Sequence, residues 1–331
     1  MKTILLTGIT GFIAKRIAKD LLDQGYHVRG SLRSMSRADE VRAALGAPEQ
    51  LDFVELDLGK DDGWTEAMKG VDALLHTASP FPLVQPKDEQ EIIKPAVDGT
   101  LRALRAADAA GITRVVLTSS MVAIMHVDRP AEHKFGPQDW TDINHPTASA
   151  YVKSKTLAEK AAWDFVADHP DMQLTTIHPG LVCGTPMDRH FGTSLEVIER
   201  IWLGKDSMVP NFCLPVVDLA DVSALHMAAL NTPASVGQRV IAAESAWMYP
   251  EMASILKQAF PDRKISDRKA PKLVLRLLSM FDPTVKSILP QLDRVLEIDN
   301  SNARSLFDHH FVSGREAMIA SAKFLEAQQN G

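Results

Sequence analysis

A tyrosine and a lysine four residues apart, Tyr151 and Lys155, are the side chains of this sequence best suited to acid–base chemistry. On a helix, residues i and i+4 share one face, so the two side chains would point the same way. A phenol with a pKa of about 10 is a poor acid or base until a cation stabilises its phenolate. Lys155 can supply that cation, and Tyr151 could then exchange a proton with a carbonyl or alcohol oxygen. The alternative is an exposed helix with an incidental pair, although the chain has only three tyrosines.

A hydroxyl that could hold the reacting oxygen lies upstream, where Thr118, Ser119 and Ser120 end a predicted buried strand. The carboxyl ends of parallel strands face the ligand crevice of an open sheet. Ser120 is therefore our preferred candidate and Ser119 the second choice. A serine at a strand end is also a common turn former, which is the competing interpretation.

A glycine-containing turn joins the first predicted strand to the first predicted helix. Gly8 can make the tight turn, Gly11 lets the backbone approach a pyrophosphate, and the small Ala14 allows close helix–strand packing. The start of the helix offers unpaired N–H groups and a positive dipole end to phosphates. We therefore predict that a dinucleotide binds here, and its candidate contacts are Gly8, Thr10, Gly11, Phe12 and Ile13.

The end of the second strand predicts which dinucleotide binds. NAD sites usually carry an acidic residue there for the ribose hydroxyls, but residues 28–34 contain none. Arg33 offers a guanidinium to a ribose 2′-phosphate, Ser31 offers a hydroxyl, and Arg37 could help. The alternative for Arg33 is a solvated surface charge. We predict NADP(H) rather than NAD(H).

The segment after the third strand, Asp57 and Leu58, lies where a side chain could accept a hydrogen bond from adenine. Asp57 could equally cap a helix. The sequence hardly separates these two interpretations.

Short apolar runs alternate with helical patterns through the first part of the chain, which predicts a parallel sheet covered on both faces. We therefore expect an α/β fold with a doubly wound parallel sheet. The predicted strands are 3–6, 26–31, 51–56, 71–76, 114–119, 173–178 and 239–242. The predicted helices are 12–24, 36–45 (with a serine cap), 64–69, 89–110, 148–167, 194–202 and 219–230.

The pattern changes after Pro179, where proline and glycine interrupt the chain repeatedly. We expect a cofactor-binding core over residues 1–180, to which residues 216–243 return. Residues 181–215 and 244–331 would form a smaller, mostly helical substrate region. This half looks too interrupted for a second independent sheet, and we expect it to cover one edge of the core as a lid.

The composition of the chain disfavours several classes of function. The chain has 331 residues, 45% of them hydrophobic, and a net charge of −6, which disfavours nucleic-acid binding. Two cysteines, Cys183 and Cys213, exclude a disulfide scaffold, and we expect both to be buried thiols. No apolar run could span a membrane and no signal peptide is evident, so we expect a cytoplasmic protein without a membrane partner. The histidines form no helical pair with a carboxylate, and we assign no metal.

These motifs together resemble the extended short-chain dehydrogenases/reductases. The matching segments are Thr7-Gly8-x-x-Gly11-x-x-Ala14, Thr118-Ser119-Ser120 and Tyr151-x-x-x-Lys155. Within that family the chain is similar to the dihydroflavonol-reductase-like branch, which includes cinnamoyl-CoA reductases and yeast-type aldehyde or ketone reductases. The branch resemblance lies in residues 76–81, 151–159, 177–182 and 218–226.

The resemblance implies a nucleotide-binding Rossmann core of about seven strands and a triad of Ser120, Tyr151 and Lys155. Tyr151 would donate or accept the proton, Lys155 would lower its pKa and hold the nicotinamide ribose, and Ser120 would position the carbonyl oxygen. The branch also implies NADPH, with Arg33 on the 2′-phosphate. Further implied cofactor contacts are Thr77, Ala78, Ser79, Pro179 and Val182. Members are often dimers through helix packing, which makes a homodimer a candidate state.

Two departures limit what the resemblance says about substrate. Met125 stands where plant dihydroflavonol enzymes carry a substrate-reading asparagine, and residues 147–150 lack the signature of cinnamoyl-CoA reductases. Neither a flavonoid nor a CoA thioester is therefore implied.

Apolar residues near the triad suggest a pocket for apolar ketones or aldehydes, although such residues are more often core. The candidate substrate residues are Phe81, Met121, Met125, Leu181, Trp202 and Leu214, with Val122 and Met187 as further candidates.

The sequence thus predicts an NADPH-dependent reductase of ketones and aldehydes that also works in reverse. The alternative is an NAD-dependent nucleotide-sugar epimerase or dehydratase, which the missing acidic residue near Ser31 disfavours. A cofactor-sensing regulator without activity is a third class, which the intact Ser120, Tyr151 and Lys155 disfavour.

Overall fold

The computed structural model describes residues 1–80 and 88–330. Its strands are β1 Thr3–Thr7, β2 His27–Leu32, β3 Leu51–Glu55, β4 Ala73–His76, β5 Arg114–Thr118, β6 Lys134–Phe135, β7 Gln173–Pro179, β8 Leu181–Cys183, β9 Cys213–Asp218, β10 Arg239–Ala242, β11 Ser245–Met248 and β12 Glu297–Ile298. Its α-helices are α1 Phe12–Asp23, α2 Ala38–Ala44, α3 Trp64–Ala67, α4 Gln90–Ala109, α5 Ala150–Asp168, α6 Gly192–Trp202, α7 Leu219–Asn231, α8 Tyr249–Ala259, α9 Lys272–Leu278, α10 Pro283–Ile288, α11 Ser301–Phe307 and α12 Gly314–Asn330.

Seven parallel strands form the central sheet, in the order β10-β7-β5-β4-β1-β2-β3. The predicted doubly wound α/β fold is therefore confirmed. The chain crosses from β3 at one edge back to β4 beside β1, and in open α/β sheets ligands bind at the carboxyl ends of the strands at such a switch point. The glycine turn after β1 lies at this position.

Alternating residues of the strands pack against helices on the two faces of the sheet. Ile4 and Leu6 of β1 belong to a buried cluster with residues of α1, α2 and α7. Leu5, between them, belongs to a second cluster with residues of α3, α4 and α5. Because both faces are covered, the strands are apolar almost throughout, which is the pattern that predicted them.

The second half contains more strand than the sequence indicated. β8, β9 and β11 form a three-stranded sheet in the order β11-β9-β8, with β8 parallel and β11 antiparallel to β9. The prediction that this half holds no second sheet is therefore wrong. The strands are only three to six residues long and lie among prolines and glycines, so their apolar runs were too short to stand out.

The start of the second helix also differs from the prediction. No side chain caps α2 itself; the Ser34 hydroxyl caps the turn before it, accepting a hydrogen bond from the Ser36 N–H at 3.4 Å. A short 3₁₀ turn, Met35–Arg37, then leads into α2. Within the described ranges, none of the helices has the length and apolar character that crossing a membrane requires.

Candidate active site

Ser120 and Tyr151 meet at the wall of a cavity beside the central sheet. Ser120 follows β5 and its hydroxyl is hydrogen-bonded to the side chain of Tyr151 near the start of α5. Ser149 caps this helix, its hydroxyl accepting from the Val152 N–H at 3.4 Å. Tyr151 and Lys155 are both half-buried on successive turns of α5. The three side chains of the predicted triad therefore lie on two adjoining elements at the carboxyl edge of the sheet.

Burial dominates the electrostatics of Tyr151 and Lys155. It raises the pKa of the Tyr151 phenol, and the hydrogen bond with Ser120 acts in the opposite direction. The role of Lys155 in lowering the pKa of Tyr151 stays a prediction. Burial also lowers the pKa of Lys155 to about 8, although the nearby charge of Glu159 raises it. At neutral pH, both the phenol and the ammonium are protonated.

The side chain of Ser119, unlike that of Ser120, points away from the cavity. Its side chain is buried and its hydroxyl donates to Glu159 Oε2 at 2.6 Å. Of the two candidate serines, only Ser120 lines the cavity.

Glu159 is the centre of a buried polar network that sequence reasoning did not assign to the site. Its carboxylate receives His178 Nε2 at 2.8 Å and Arg239 Nε at 2.7 Å, besides the Ser119 hydroxyl. These partners hold the pKa of Glu159 well below its usual range despite its burial. Arg239 is also bound by two backbone carbonyls and lies with its guanidinium carbon 3.7 Å from the centre of the Trp140 ring.

The only sequence signal for this network is the spacing of Glu159. It follows Lys155 by four residues and Tyr151 by eight, so the three lie along one side of α5. Its burial depends on strands distant in sequence: His178 is on β7 and Arg239 on β10.

The glycine turn has the shape of a phosphate cradle. Gly8 has a φ of +70°, and a Cβ there would lie 3.0 Å from the Ala78 Cα. Gly11 is exposed at the start of α1, where the first backbone N–H groups of the helix are available. The Thr7 hydroxyl accepts from the N–H groups of Thr77 and Ala78, both at 3.1 Å, and this joins the turn to the end of β4. The residues present therefore fit a dinucleotide pyrophosphate.

The adenosine side of the cradle presents Arg33 at the surface. Arg33 is exposed just after β2, whereas Ser31 is buried and its hydroxyl accepts from the Gly8 N–H at 3.0 Å. Arg37 is held by Glu40, with the shorter of two contacts at 2.7 Å. Asp57 is half-buried and accepts from the Gly59 N–H at 2.8 Å, so it closes a turn. That turn does not lead directly into a helix, so Asp57 is not the helix cap considered as an alternative.

The remaining segments predicted to contact the cofactor surround the same edge. Thr77, Ala78 and Ser79 are half-buried and follow β4. Pro179 lines the cavity, whereas Val182 is 2% exposed in a cluster against which Phe12 and Ile13 pack. Leu58 packs on Gly99 of α4, where a Cβ would lie 2.9 Å from that of Leu58. Thr10 is half-buried in the glycine turn itself.

A buried lysine joins the first helix to the loop after β8. Lys15 on α1 donates to the Asp188 carboxylate and, at 3.2 Å, to the His190 carbonyl. His190 Nδ1 lies 3.0 Å from Glu40 Oε1. Glu40, Asp188 and His190 bring ligand atoms within 4.8 Å of one another, but they already pair with Lys15 and Arg37. The absence of a metal stays a prediction.

The cavity beside Ser120 and Tyr151 has a volume of about 300 Å³. Its wall is mainly apolar, and it includes four of the six predicted substrate residues and the further candidate Val122. The described residues that line it are Ser120, Met121, Val122, Met125, Tyr151, Pro179, Gly180, Leu181, Thr193, Ser194, Val197, Leu214 and Pro215.

Two predicted pocket residues lie elsewhere. Trp202 is 1% exposed and its ring packs edge-on against Phe260 with centroids 6.4 Å apart. Met187 packs against the core cluster that includes β1 and α1. Neither lines the cavity, because their side chains complete the core between elements, and a contact with substrate is not supported for them. Phe81 lies outside the described residues.

Both cysteines are buried, as expected. Cys183 is fully buried and burial raises its pKa. Cys213 is 5% exposed and its pKa is raised for the same reason. The two thiols are therefore protonated and unreactive at neutral pH.

The fold and the site define a class. A doubly wound sheet, a glycine cradle at its switch point and a Ser–Tyr–Lys group beside an apolar cavity are the parts of a nicotinamide-dependent oxidoreductase that acts on carbonyl and alcohol groups. The family model for the NAD dependent epimerase/dehydratase family matches residues 4–243. The chain belongs to this family, and the prediction of an extended short-chain dehydrogenase/reductase is confirmed.

Named relatives fall among reductases. The chain is 30% identical over 283 residues to the NADPH-dependent methylglyoxal reductase of Saccharomyces cerevisiae, covering 78% of this chain and 83% of that protein. It is 32% identical to cinnamoyl-CoA reductase 1 of Arabidopsis thaliana, covering 82% and 80%. Among solved structures, the yeast methylglyoxal/isovaleraldehyde reductase complexed with NADPH superposes with a TM-score of 0.84 at 26% identity, covering 99% of this chain and 100% of that one.

Proposed function

We propose that this protein catalyses the NADPH-dependent reduction of ketones and aldehydes to alcohols, and the reverse oxidation. The observation that carries the proposal is the hydrogen bond between Ser120 and Tyr151 at the wall of an apolar cavity. A carbonyl oxygen that enters this cavity would meet two hydroxyl groups side by side. The methylglyoxal reductase of yeast, named as NADPH-dependent, supports the same reaction class.

The protonation of the site favours the direction of reduction. NADPH supplies a hydride to the carbonyl carbon when bound. The oxygen must then gain a proton, and the phenol of Tyr151, whose pKa burial raises, is present in the protonated form that can donate it. Ser120 orients the oxygen through its hydroxyl. Lys155, protonated at neutral pH, stabilises the phenolate that remains and holds the nicotinamide ribose.

The choice of NADPH rests on the end of β2. Arg33 is exposed just after β2, and β2 itself contains no acidic residue. A guanidinium can bind a phosphate through two parallel hydrogen bonds, whereas the ribose hydroxyls of NADH offer it no charge. NADPH in the named yeast relative and in its solved complex agrees with this assignment.

The proposed function assigns the cofactor and the substrate to different parts of the chain. Residues 1–180 with 216–243 supply the cofactor side and contain all seven strands of the central sheet. Residues 181–215 supply the substrate side, because Leu181, Val197 and Leu214 form one wall of the cavity. Residues 244–331 support that wall, because residues of α8 and α12 pack with those of α6 in one buried cluster.

The test is the loss of reduced-nicotinamide absorbance with purified protein, comparing NADPH with NADH over aliphatic and aryl ketones, diketones and aldehydes. We expect turnover of apolar carbonyls with NADPH. Tyr151→Phe should lower kcat by about 10²- to 10⁴-fold, the usual contribution of a positioned proton donor.

The matched control is Tyr26→Phe. The Tyr26 hydroxyl donates to Asn231 at 2.8 Å, at the opposite end of the strands from the cavity, so its removal should leave kcat unchanged. Unchanged kcat in Tyr151→Phe would overturn the mechanism. No turnover with either cofactor, together with tightly bound NAD in the preparation, would assign the chain to the nucleotide-sugar epimerases or dehydratases instead.

A further inference from the structure

A second cavity, of about 710 Å³, adjoins the catalytic cavity. Thr193 and Val197, both on α6, line the two cavities together. The turn of α6 between these two residues therefore separates the catalytic cavity, which holds Ser120 and Tyr151, from a second cavity more than twice as large. The function proposed above does not use this space.

Apolar side chains form a large part of the wall of the second cavity. Phe212 and Tyr249 stack with ring centroids 5.2 Å apart and planes 22° from parallel, and this makes a flat aromatic wall. Leu275 and Leu278 of α9 and Ile288 of α10 face the same space. A surface of this kind gains free energy by removing hydrocarbon or aromatic groups of a ligand from water.

The charges around the second cavity exclude an anionic ligand. Its lining carries four carboxylates and two basic groups, and Arg200 is already paired with Asp206 at 2.6 Å through two of its nitrogens. The excess is negative, so a phosphate, a carboxylate or the polyphosphate of a coenzyme-A thioester would be repelled. The charges thus disfavour an anionic ligand, and the apolar part of the wall favours an uncharged hydrocarbon or aromatic group.

Exposed apolar residues continue from the second cavity onto the surface of α9 and the turn that follows. Leu278, which lines the cavity, is 49% exposed, and nearby Leu277, Met280 and Phe281 are 57%, 73% and 86% exposed. Large apolar side chains exposed together commonly mark a binding site. Because Leu278 also lines the cavity, we interpret this apolar face as the rim of the cavity's opening.

We propose that the second cavity binds the uncharged apolar tail, aliphatic or aryl, of a substrate whose carbonyl group lies at Tyr151. This inference rests on the proposed function and names its substrate class: ketones and aldehydes with a hydrocarbon tail too long for the catalytic cavity alone. Val197 and Thr193 form the passage along which the tail runs.

The test is NADPH-dependent reduction of a series of methyl ketones from butan-2-one to decan-2-one, with an ω-carboxylated ketone of the longest length. Beyond the length that fills the catalytic cavity, kcat/KM should rise by about fourfold per added methylene, which corresponds to about 0.8 kcal/mol per buried methylene. The terminal carboxylate should lower kcat/KM at least tenfold relative to the uncharged ketone of equal length.

A matched pair of variants on α9 locates the tail. Leu278→Asp places a charge in the second cavity and should lower the ratio of kcat/KM for decan-2-one to that for butan-2-one at least tenfold. Leu273→Asp makes the same change at a residue of α9 that is 69% exposed and outside the cavity lining, and it should leave the ratio unchanged. Neither residue is buried, so both variants should fold.

The failure of this inference is distinguishable from failure of the proposed function. Reduction of butan-2-one with no dependence on chain length, or an equal ratio in both variants, would overturn the second cavity as a tail site. A dimer that Phe281→Asp converts to monomer, without any dependence on chain length, would assign the apolar face to a second copy of the chain and overturn it too. If neither this series nor the panel of ketones, diketones and aldehydes above is reduced with NADPH, the proposed function itself fails; if the panel is reduced and the series is not, only the tail site is overturned.

Discussion

The ammonium of Lys155 opposes folding at neutral pH. Burial lowers its pKa from an ordinary 10.5 to about 8, even though Glu159 one turn away raises it. The group is still protonated at pH 7, so the folded chain holds a cation in a place that disfavours it. Replacing Lys155 with methionine keeps a long unbranched side chain and removes the charge. The variant should therefore be more stable than the natural protein, although inactive.

The size and sign of the effect follow from the pKa of Lys155. A difference of about 2.5 between the unfolded and folded pKa values corresponds to at most about 3.4 kcal/mol, at about 1.36 kcal/mol per unit of pKa. Because the folded pKa is the lower one, the unfolded chain binds more protons between about pH 8 and 10.5, and stability of the natural protein rises across that window. The penalty is complete below pH 8. The gain of Lys155→Met should thus be largest at pH 7 and vanish near pH 10.5.

The assay is urea unfolding of the cofactor-free protein at pH 7, 8, 9 and 10, with natural protein and variant compared at each pH. Lys153→Met is the control on the same helix: Lys153 pairs with the exposed Glu89 at 2.6 Å, and such a pair contributes about 0–1 kcal/mol. Its effect should be small and should not depend on pH. A Lys155→Met protein that is less stable at pH 7, or equally stabilised from pH 7 to 10, would refute the reasoning.

Other substitutions test the remaining parts of the site. Glu159→Gln should lower the free energy of unfolding at pH 7 by about 3–5 kcal/mol in a urea titration, because it leaves the Arg239 charge buried without its partner; a loss below about 1 kcal/mol would contradict the network. Arg33→Ala should raise the KM for NADPH by about ten- to hundredfold in steady-state assays and leave that for NADH unchanged, since hydrogen bonds to charged groups are worth about 1.5–3 kcal/mol; an equal rise for both would show that Arg33 does not read the phosphate. Gly8→Ala should lower stability by about 1–2 kcal/mol in thermal unfolding, because alanine resists a φ of +70° and its Cβ would meet Ala78 at 3.0 Å; an unchanged melting temperature would mean that the turn relaxes freely.

The strands of the central sheet could be predicted because the same sequence pattern recurs in each of them. Each strand of the central sheet is a short apolar run between helices, and a sheet covered on both faces leaves that pattern in every strand. Arg239–Ala242 was placed without error although it follows a long helical stretch. The three-stranded sheet escaped prediction because its strands are short and lie among prolines and glycines: the predicted sixth strand ends at residue 178, before Pro179 and Gly180, and the three residues of β8 follow them.

Residues of the cavity wall could be predicted where they lie close in sequence to a catalytic residue, but not where their position depends on tertiary packing. Met121 and Met125 follow Ser120 directly, so their place in the wall could be inferred from the sequence alone. Trp202 could not be placed in this way, because whether an aromatic ring on a helix faces a ligand or a neighbouring helix is set by tertiary contacts. Here it packs on Phe260 of the turn after α8 and under Arg263.

The hydrogen bonds of Glu159 explain how Ser120 and Tyr151 are held in fixed positions relative to each other. Ser120 follows β5 and Tyr151 is on α5, two elements that apolar contacts alone would fix loosely, because such contacts have no direction. The residue beside Ser120, Ser119, donates to Glu159 at 2.6 Å, and Glu159 is in turn fixed to β7 and β10 through His178 and Arg239. A directional bond therefore joins the end of β5 to the helix that carries Tyr151. The same carboxylate raises the pKa of Lys155 against the larger, opposite effect of burial, so one buried charge both fixes the two elements and favours the protonated form of Lys155.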